Sequence, residues 1–509
     1  MRWYLCVARS RTAVVLVPGA VMLTLGLWGL ERGSVWRDEA ATLQVATRTL
    51  PEIWRLVHTV DAVHGLYYLL MHFVLAVDAG EFALRLPSVL AATVTACLVA
   101  LLGGCLAGPR VGLLAGSLYG VSPFAAYYAQ EGRSYALVAA AATAATLALV
   151  RAVERPSAGA WAAYGALVTG AAWLHELAVL LLLAHAVTLS AARVGRAVWR
   201  GWAGAAGAAV LLVLPLVAVA AAQSAQVAWL RRPGLAEAEW LLRTATGRHG
   251  PLSVLTLLLI GLAVVRPPAR RGPGTCGLVA VALPLAVVPT VVLFAVSQAH
   301  PLYLPRYVFF AFAGVPLLTA AGVDTVLGRM RVGRWRDGRV PALAGACLIV
   351  ASFCVQLPLH EEQRTPLARR DDFAAVARVM AHELRPGDAL LYVPMVGRRL
   401  AEVYPESVRG VRDVSLRATG RSSGTLFGQD VDKRRLGARM ACLRQVWVLF
   451  YTDAARPGWS PRNTTEQAKL ALLRRDFTPV AERRLRSGVL RRYTRKAQLP
   501  AACGSQDAP

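Results

Sequence analysis

Two adjacent carboxylates follow the first long apolar stretch of the chain, within the sequence SVWRDEAATLQVA at residues 34–46. Arg37, Asp38 and Glu39 therefore stand where the chain has just left an apolar run that is typical of a membrane span. A carboxylate in such a place can accept a proton as a general base. A solvated cap on an amphipathic helix is the simpler alternative, because the helix dipole favours acids in the first turn.

Further acids, histidines and arginines stand beside later apolar runs, in motifs such as YYAQEGRSY, WLHE and YLPRYV. The guanidinium of arginine is permanently charged and forked, which suits it to hold a phosphate group. Acids beside arginines therefore suggest a reaction in which an acceptor loses a proton while a phosphate departs. The structural alternatives are a polar turn, a hydrogen bond between helices for a histidine, and headgroup anchoring for an arginine. Besides Asp38 and Glu39, the candidate residues are His64, Tyr67, Arg85, Glu131, Arg133, His175 and Arg306.

The composition of the chain indicates what must position these residues. Of its 509 residues, 56% are hydrophobic and 17% are charged, and the mean hydropathy is +0.46. Repeated apolar windows of roughly 18 to 22 residues predict transmembrane helices, because lipid forces the backbone to satisfy its own hydrogen bonds. The formal charge of +26 does not indicate nucleic-acid binding, since no basic helix with interleaved aromatic residues and no nucleic-acid motif occurs. We expect a multi-pass protein of the cell membrane.

Clusters of arginine orient the chain, because cytoplasmic loops carry an excess of positive charge. The clusters lie at residues 2–11, 110, 151–155, 193–200, 266–271 and 329–339. If all of them are cytoplasmic, the chain has about eleven spans, with the N-terminus cytoplasmic and the C-terminus extracytoplasmic. The first apolar run lacks a small-residue cleavage site, which indicates an uncleaved span. The predicted spans cover residues 12–30, 84–106, 111–129, 134–152, 159–174, 175–192, 201–222, 251–265, 276–297, 306–327 and 340–357.

The first outer loop, residues 31–83, contains three shorter predicted helices. Residues 38–58 carry apolar side chains at helical spacing, interrupted at Pro51, and Thr49 with Glu52 is a capping-box signal. We expect these two amphipathic helices to lie on the outer membrane surface. The apolar segment at residues 64–80 is short for a crossing, so it predicts a juxtamembrane or re-entrant helix.

The hydropathy falls after Pro358, which predicts two domains. Residues 1–357 form a transmembrane module that includes the first outer loop, and residues 358–509 form a small extracytoplasmic α/β domain. In this domain DDFAAVARVMAHEL predicts a helix, and ALLYVP and VWVLFY predict buried strands. Cys442 and Cys503 could form a disulfide there or remain two thiols. No CxxC or Cys/His spacing in the sequence indicates a metal site.

The order of the motifs resembles a known family. WRDEAAT, HGLYYLLMH, ALRLPS, YYAQEGRSY, WLHELAVLLLLAH and LPRYV follow one another as in bacterial membrane glycosyltransferases of the GT-C superfamily. These proteins are related to the protein O-mannosyltransferases and the aminoarabinose transferases of lipid A, and the resemblance covers roughly residues 12–330. The chain departs from the family at Gly65, where many relatives have His-Pro-Pro before the tyrosine pair, and at Leu174, where a threonine is common before the histidine.

The resemblance implies an enzyme whose donor substrate is a polyprenyl-phosphate-linked sugar, which is one of the membrane lipids. It implies that Asp38 is the general base, with Glu39 adjacent. We expect the leaving phosphate to contact Arg306 and one of Arg133 and Arg85. Some members of the superfamily use a divalent metal and others do not, so metal dependence stays open. The expected function is inverting transfer of a sugar, mannose being one option, to a protein, glycolipid or cell-wall polymer.

Two other classes of function stay open on the sequence alone. A transporter or lipid flippase would line a substrate path with intramembrane charges, and such proteins often contain inverted repeats. No internal repeat occurs here, and the charges stand at the ends of the predicted spans. A catalytically inactive relative could act in binding or assembly, but such a protein would not need the acid pair.

Overall fold

The computed structural model of the protein describes residues 12–269, 274–329, 339–456, 458–461 and 463–497. The chain divides into two compact units. The helical unit comprises residues 1–30, 61–67 and 85–364, and the mixed unit comprises residues 31–60, 68–84 and 365–509. Several sequence features lie outside the described residues, namely Arg2, Arg9, Arg11, Arg270, Arg271, Cys503 and the cluster at residues 330–338.

The helical unit is a bundle of α-helices joined by short turns and 3₁₀ segments. Two helices, α4 (Gly65–Leu75) and α5 (Glu81–Ala107), have residues in both units. The 3₁₀ segments of the helical unit are Ala62–His64, Glu176–Leu180, Ser224–Val227 and Pro305–Ala313. Its other α-helices are α1 (Thr12–Leu27), α6 (Pro109–Gly120), α7 (Pro123–Ala129), α8 (Tyr135–Glu154), α9 (Ala158–Leu174), α10 (Leu181–Ala192), α11 (Arg196–Ala222), α12 (Leu235–Thr246), α13 (Gly250–Val265), α14 (Leu278–Ala299), α15 (Gly314–Arg329) and α16 (Arg339–Gln363).

Six of the predicted spans are confirmed as helices that are long and apolar enough to cross a membrane. The helices α12 and α13 meet at an angle of 81°. If this bent pair counts as one span, the described residues contain seven candidate spans. The other predicted runs are shorter or broken helices. The run at residues 111–129, for example, divides into α6 and α7, because Pro123 begins a new helix and the Ser122 hydroxyl accepts the Phe124 N–H at its cap.

Small residues let helices of this unit pack closely. A Cβ atom added to Gly112 on α6 would lie 2.4 Å from the Ala100 carbonyl oxygen on α5, and one added to Gly116 would lie 2.9 Å from the Ala96 carbonyl oxygen. Close approach through small residues is typical of helices that associate in lipid. A continuous apolar core, including Met22, extends through most of the unit.

The last helix of the unit continues past Pro358, where the sequence predicted the end of the membrane module. The helix α16 ends at Gln363, and its C-terminal turn is held by polar contacts to the backbone. His360 Nε2 lies 3.0 Å from the Val121 carbonyl oxygen. Arg364 donates to the carbonyl oxygens of Leu25 and Trp28 at 2.6 and 2.7 Å. These contacts satisfy carbonyl oxygens near the C-terminal ends of α1 and α6 and so tie the end of α16 to both helices.

The mixed unit contains helices on both sides of a β-sheet. Its strands are β1 (Ala389–Val393), β2 (Arg412–Asp413), β3 (Leu416–Ala418), β4 (Gln429–Asp430), β5 (Gln445–Tyr451), β6 (Phe477–Leu485) and β7 (Gly488–Arg495). Its 3₁₀ segments are Pro366–Ala368, Met395–Gly397, Pro405–Val408 and Thr452–Ala455. Besides the C-terminal part of α4, its helices are α2 (Arg37–Ala46), α3 (Leu50–Val57), α17 (Phe373–Glu383), α18 (Arg398–Val403), α19 (Gly420–Ser423), α20 (Lys433–Ala441) and α21 (Thr464–Asp476).

The main sheet has the strand order β2-β1-β5-β7-β6. The strand β1 pairs in parallel with β2 and β5, and β7 pairs antiparallel with β5 and β6. The predicted helix and both predicted strands of the C-terminal region are thus confirmed, as α17, β1 and β5. The strands β3 and β4 form a separate two-stranded antiparallel sheet.

The two faces of the main sheet bury different partners, because successive side chains of a strand point to opposite faces. Val448 and Phe450 of β5 face a core that includes α20 and α21. Trp447 and Leu449 face a core that includes α17 and α18 and, from the first loop, Ala40 of α2. We expected α2 on the membrane surface, but its apolar side packs on this sheet instead.

Two local predictions in the mixed unit concern the start of α3 and the bonding of Cys442. The helix α3 starts with the predicted capping box, in which the Thr49 N–H donates to Glu52 Oε2 at 2.9 Å. Cys442 is disulfide-bonded in the structure. Cys503, the partner that the sequence suggests, lies outside the described residues.

Candidate functional site

Four of the candidate side chains come together in the helical unit. His64 ends the 3₁₀ turn before α4, Arg133 stands in the turn before α8, His175 caps α9, and Arg306 is the second residue of a 3₁₀ segment. They come from four separate parts of the chain, and the two histidines and Arg133 are 5% to 6% exposed. The cluster is therefore a buried, polar site assembled by the tertiary structure.

The geometry of the cluster is defined by ring contacts and charge. The His64 and His175 ring centroids lie 6.1 Å apart in an edge arrangement. The guanidinium groups of Arg133 and Arg306 both interact electrostatically with both imidazoles. Two permanent positive charges beside two imidazoles make a local environment that favours an anion.

Arg306 is oriented by aromatic rings. Its Cζ atom lies 5.8 Å from the ring centroid of Tyr135 and 5.7 Å from that of Tyr307, and the His175 ring lies 4.6 Å from the Tyr307 ring. From the sequence, Pro305 predicts an extended backbone at the residue before it. The structure confirms this, because Leu304 is extended and the 3₁₀ segment begins at the proline. The 3₁₀ geometry was not predicted, and it occupies the first part of the expected span.

Tyr135 and Tyr307 were absent from the predicted set. Both stand within two residues of a candidate arginine, in the motifs GRSY and PRY. That adjacency was visible in the sequence, but it does not decide whether a tyrosine ring packs on the arginine beside it. The contact depends on how the 3₁₀ segment and α8 meet in the bundle.

Glu131 lies beside the cluster, whereas Arg85 makes a hydrogen bond to the backbone of another segment. Glu131 is 1% exposed, and its charge and that of Arg306 both act on the Tyr128 hydroxyl. Arg85 Nη1 donates to the Leu30 carbonyl oxygen at 2.7 Å, which ties α5 to the end of the first helical segment. Tyr67 is fully buried on α4.

The two candidate carboxylates belong to the mixed unit. Asp38 is half-buried and Glu39 is completely buried, and both stand in the first turn of α2. The residue before them, Arg37, is paired with Asp371, whose Oδ2 lies 2.8 Å from Arg37 Nε and 3.2 Å from the Arg37 backbone nitrogen. This pair fixes the start of α2 to the C-terminal part of the unit.

Arg399, which the sequence did not single out, lies beside the same turn. Its Nη1 donates to the Arg37 carbonyl oxygen at 3.2 Å, and its guanidinium lies over the Phe427 ring at 4.7 Å. Burial lowers the pKa of Arg399, and the nearby Asp38 carboxylate opposes this effect. Asp38 therefore faces a guanidinium supplied by α18, more than three hundred residues later in the chain.

The described residues contain no group of three or more His, Cys, Asp and Glu side chains that could hold a metal ion.

Comparisons with known proteins find one family model that matches part of the chain, and several solved structures of similar fold. Residues 65–221 match the family model described as dolichyl-phosphate-mannose-protein mannosyltransferase. None of the curated proteins matches the chain in sequence.

The fold is similar to three solved structures. Apo ArnT from Cupriavidus metallidurans is 16% identical, with a TM-score of 0.59, over 95% of this chain and 98% of that chain. The same protein bound to undecaprenyl phosphate is 14% identical, with a TM-score of 0.56, over 94% and 98%. The oligosaccharyltransferase from Archaeoglobus fulgidus in complex with Zn and sulfate is 10% identical, with a TM-score of 0.51, over 86% and 68%.

The chain thus has a fold similar to that of ArnT, and residues 65–221 are similar to the protein mannosyltransferase family. Both findings agree with the resemblance seen in the ordered motifs. Of the four residues in the cluster, Arg133 and His175 lie inside the segment that matches the family model.

Proposed function

We propose that the protein is an inverting glycosyltransferase that moves a sugar from a polyprenyl-phosphate donor to an acceptor hydroxyl at the extracytoplasmic face of the cell membrane. The observation that carries this proposal is the convergence of Arg133 and Arg306 on His64 and His175, next to apolar helices. Such a site fits a phosphate attached to a long apolar chain, since the phosphate needs cations and the chain needs lipid.

The comparisons support the lipid-linked donor. The family model that matches residues 65–221 describes enzymes of dolichyl-phosphate-mannose, and the ArnT of similar fold has a structure bound to undecaprenyl phosphate. Mannose is therefore the first donor sugar to test. The acceptors to test are a protein, a glycolipid and a cell-wall polymer. We also propose that the N-terminus is cytoplasmic and that the mixed unit lies outside the cytoplasm, as the arginine clusters predict.

In the proposed reaction Asp38 accepts the proton of the acceptor hydroxyl. The acceptor oxygen attacks the anomeric carbon in a single displacement, and the bond from that carbon to the phosphate oxygen breaks. The bonding electrons go to the phosphate, and polyprenyl phosphate leaves with its increased negative charge against Arg306 and Arg133. Arg37 and Arg399 hold the start of α2, so that the Asp38 carboxylate keeps one direction.

The experiment uses the full chain in membranes or detergent, with synthetic polyprenyl-phosphate mannose and other polyprenyl-phosphate sugars as donors and mass analysis of the products. The Asp38→Asn variant should keep the fold and lose most turnover, because a general base typically contributes about 10²- to 10⁴-fold. Glu39→Gln should cost less, since the proposed base is intact.

The matched control is Asp78→Asn, because Asp78 is an exposed acid of the same unit. It should transfer sugar at the wild-type rate. Equal rates for Asp38→Asn and the wild type would show that Asp38 is not the base. Transport of the lipid without any glycosylated product would instead favour the transporter alternative.

A further inference from the structure

The mixed unit contains a cavity of about 620 Å³ that the proposed reaction does not use. We call it the basic cleft. It lies between the end of α21, the segment that follows β5, and the hairpin of β6 and β7. Its volume is in the range of roughly 300 to 1,000 Å³ that is typical of ligand pockets. The cleft is thus large enough to receive a small organic molecule.

The cleft and the candidate base lie on opposite faces of the same sheet. Phe450 and Val489 line the cleft, whereas their neighbours Leu449 and Leu490 face the core that contains Ala40 of α2. Because side chains alternate along a strand, the sheet itself separates the two places. A ligand in the basic cleft therefore cannot be the group that Asp38 deprotonates at that moment.

The cleft carries a strong positive charge. No carboxylate is among its described lining residues, and its five cationic residues are Arg456, Arg474, Arg484, Arg491 and Lys496. Two nearby acids offset part of this charge: Glu482 pairs with both Arg484 and Arg491, and Asp476 interacts electrostatically with Lys496. The lining still has more cationic side chains than these two carboxylates. An anion in the cleft would relieve the repulsion among these groups.

Aromatic rings stand among the cations. Phe450, Phe477 and Tyr493 line the cleft but are buried in the core, whereas Trp459 is half-buried and can offer its ring to a ligand. An aromatic face binds flat, weakly polar surfaces, while guanidinium forks bind carboxylate or phosphate. The combination fits a ligand that has both an anionic group and a ring.

We propose that the basic cleft binds an anionic saccharide, a sugar that carries phosphate or carboxylate. The choice of a saccharide over another ringed anion rests on the proposed transferase function, since an acceptor glycan longer than one sugar extends beyond the reaction centre and can be held there. The anionic character rests on the cleft alone.

The test is calorimetric titration of the full chain in detergent with mannose 6-phosphate as the probe, at low and at high salt. We expect saturable binding that weakens as salt rises, because screening reduces the attraction of charges at a half-open site. Arg474→Ala should weaken binding by about 10-fold or more, as expected for the loss of a hydrogen bond to a charged group.

The matched control is Arg475→Ala. Arg475 is the next residue of α21, but its Nε donates to Asp476 at 2.7 Å and it does not line the cleft. Both arginines are exposed, so neither change should alter the melting temperature. Equal weakening by the two variants would mean that binding depends only on general surface charge, which would overturn the proposal. The absence of saturable binding would also overturn it.

Two further probes test the identity of the ligand. Inorganic phosphate should bind more weakly than mannose 6-phosphate, and uncharged mannose should not bind measurably. Tighter binding of adenosine monophosphate than of the sugar phosphate would overturn the saccharide assignment. These titrations need no turnover, so their failure is distinguishable from a failure of the transfer assay.

Discussion

Buried charge is held in different ways in the two units. In the helical unit, Arg306 lies against the rings of Tyr135 and Tyr307. In the mixed unit, carboxylates hold the buried cations. Lys469 Nζ lies 2.6 Å from Asp430 and 3.1 Å from Glu466, and Arg398 pairs with Asp413 and also with Asp430.

The difference indicates which cluster serves the fold and which serves function. A carboxylate neutralises a cation, and the mixed-unit network has three acids for two cations, so it has no need of a further anion. An aromatic ring attracts a cation without cancelling its charge. We assign the carboxylate network to stability, and we propose that the aromatic-flanked arginine belongs to the phosphate site.

The largest expected effect is on the network of the mixed unit. Lys469→Met removes a fully buried ammonium and leaves Asp430 and Glu466 buried with less counter-charge. Breaking a buried ion pair in this way typically costs about 3 to 5 kcal/mol. Chemical unfolding of the full chain in detergent measures the change, and Lys433→Met, at an exposed lysine of the same unit, is the control. A stability equal to that of the control would remove the distinction between the two clusters.

A smaller effect, on turnover and not on stability, is expected at Arg306. Arg306→Lys keeps the charge but loses the fork that can hold a phosphate through two hydrogen bonds. We expect turnover with a saturating lipid donor to fall by about 10- to 100-fold, as for loss of a hydrogen bond to a charged group. The melting temperature should stay nearly constant.

Arg243→Lys provides the comparison for that variant. Arg243 is an exposed arginine of the helical unit that pairs with Glu239 one turn away. It should transfer sugar at the wild-type rate. If Arg306→Lys also does so, Arg306 is a headgroup anchor and does not contact the leaving phosphate.

The smallest expected effect sharpens the description of the network. Burial raises the pKa of Glu466, and the Lys469 charge opposes this shift only in part. A carboxyl whose pKa is higher in the folded than in the unfolded state binds its proton more tightly when folded, so it stabilises the fold as the pH falls through that pKa. From pH 7 downwards, the wild type should gain stability relative to Glu466→Gln.

Melting curves over that pH range measure this difference. Glu406→Gln, at an exposed glutamate of the same unit, should show the pH profile of the wild type. A constant difference between the wild type and Glu466→Gln at every pH would mean that Glu466 has the same pKa in the folded and unfolded states.

Local signals in the sequence predicted much of the secondary structure. Hydropathy located six long apolar helices, the pair Thr49 and Glu52 located the start of α3, and Pro305 located the end of an extended segment. Each of these depends on neighbours within a turn or two of the backbone, and so the sequence shows them directly. The candidate site was predicted as a set of residues, and four of them do converge.

The sequence by itself determined which segments are apolar helices, where the C-terminal helix and two strands lie, and which residue types could bind a phosphate or take a proton. Only the tertiary structure decided that α2 packs on the sheet of the mixed unit, that Arg37 pairs with Asp371, and that tyrosine rings flank Arg306. The reason is physical. Helix and strand formation follow local hydrogen bonding and periodic burial, whereas a contact such as the Arg37–Asp371 pair joins residues 334 positions apart, and many alternative pairings satisfy the same local pattern.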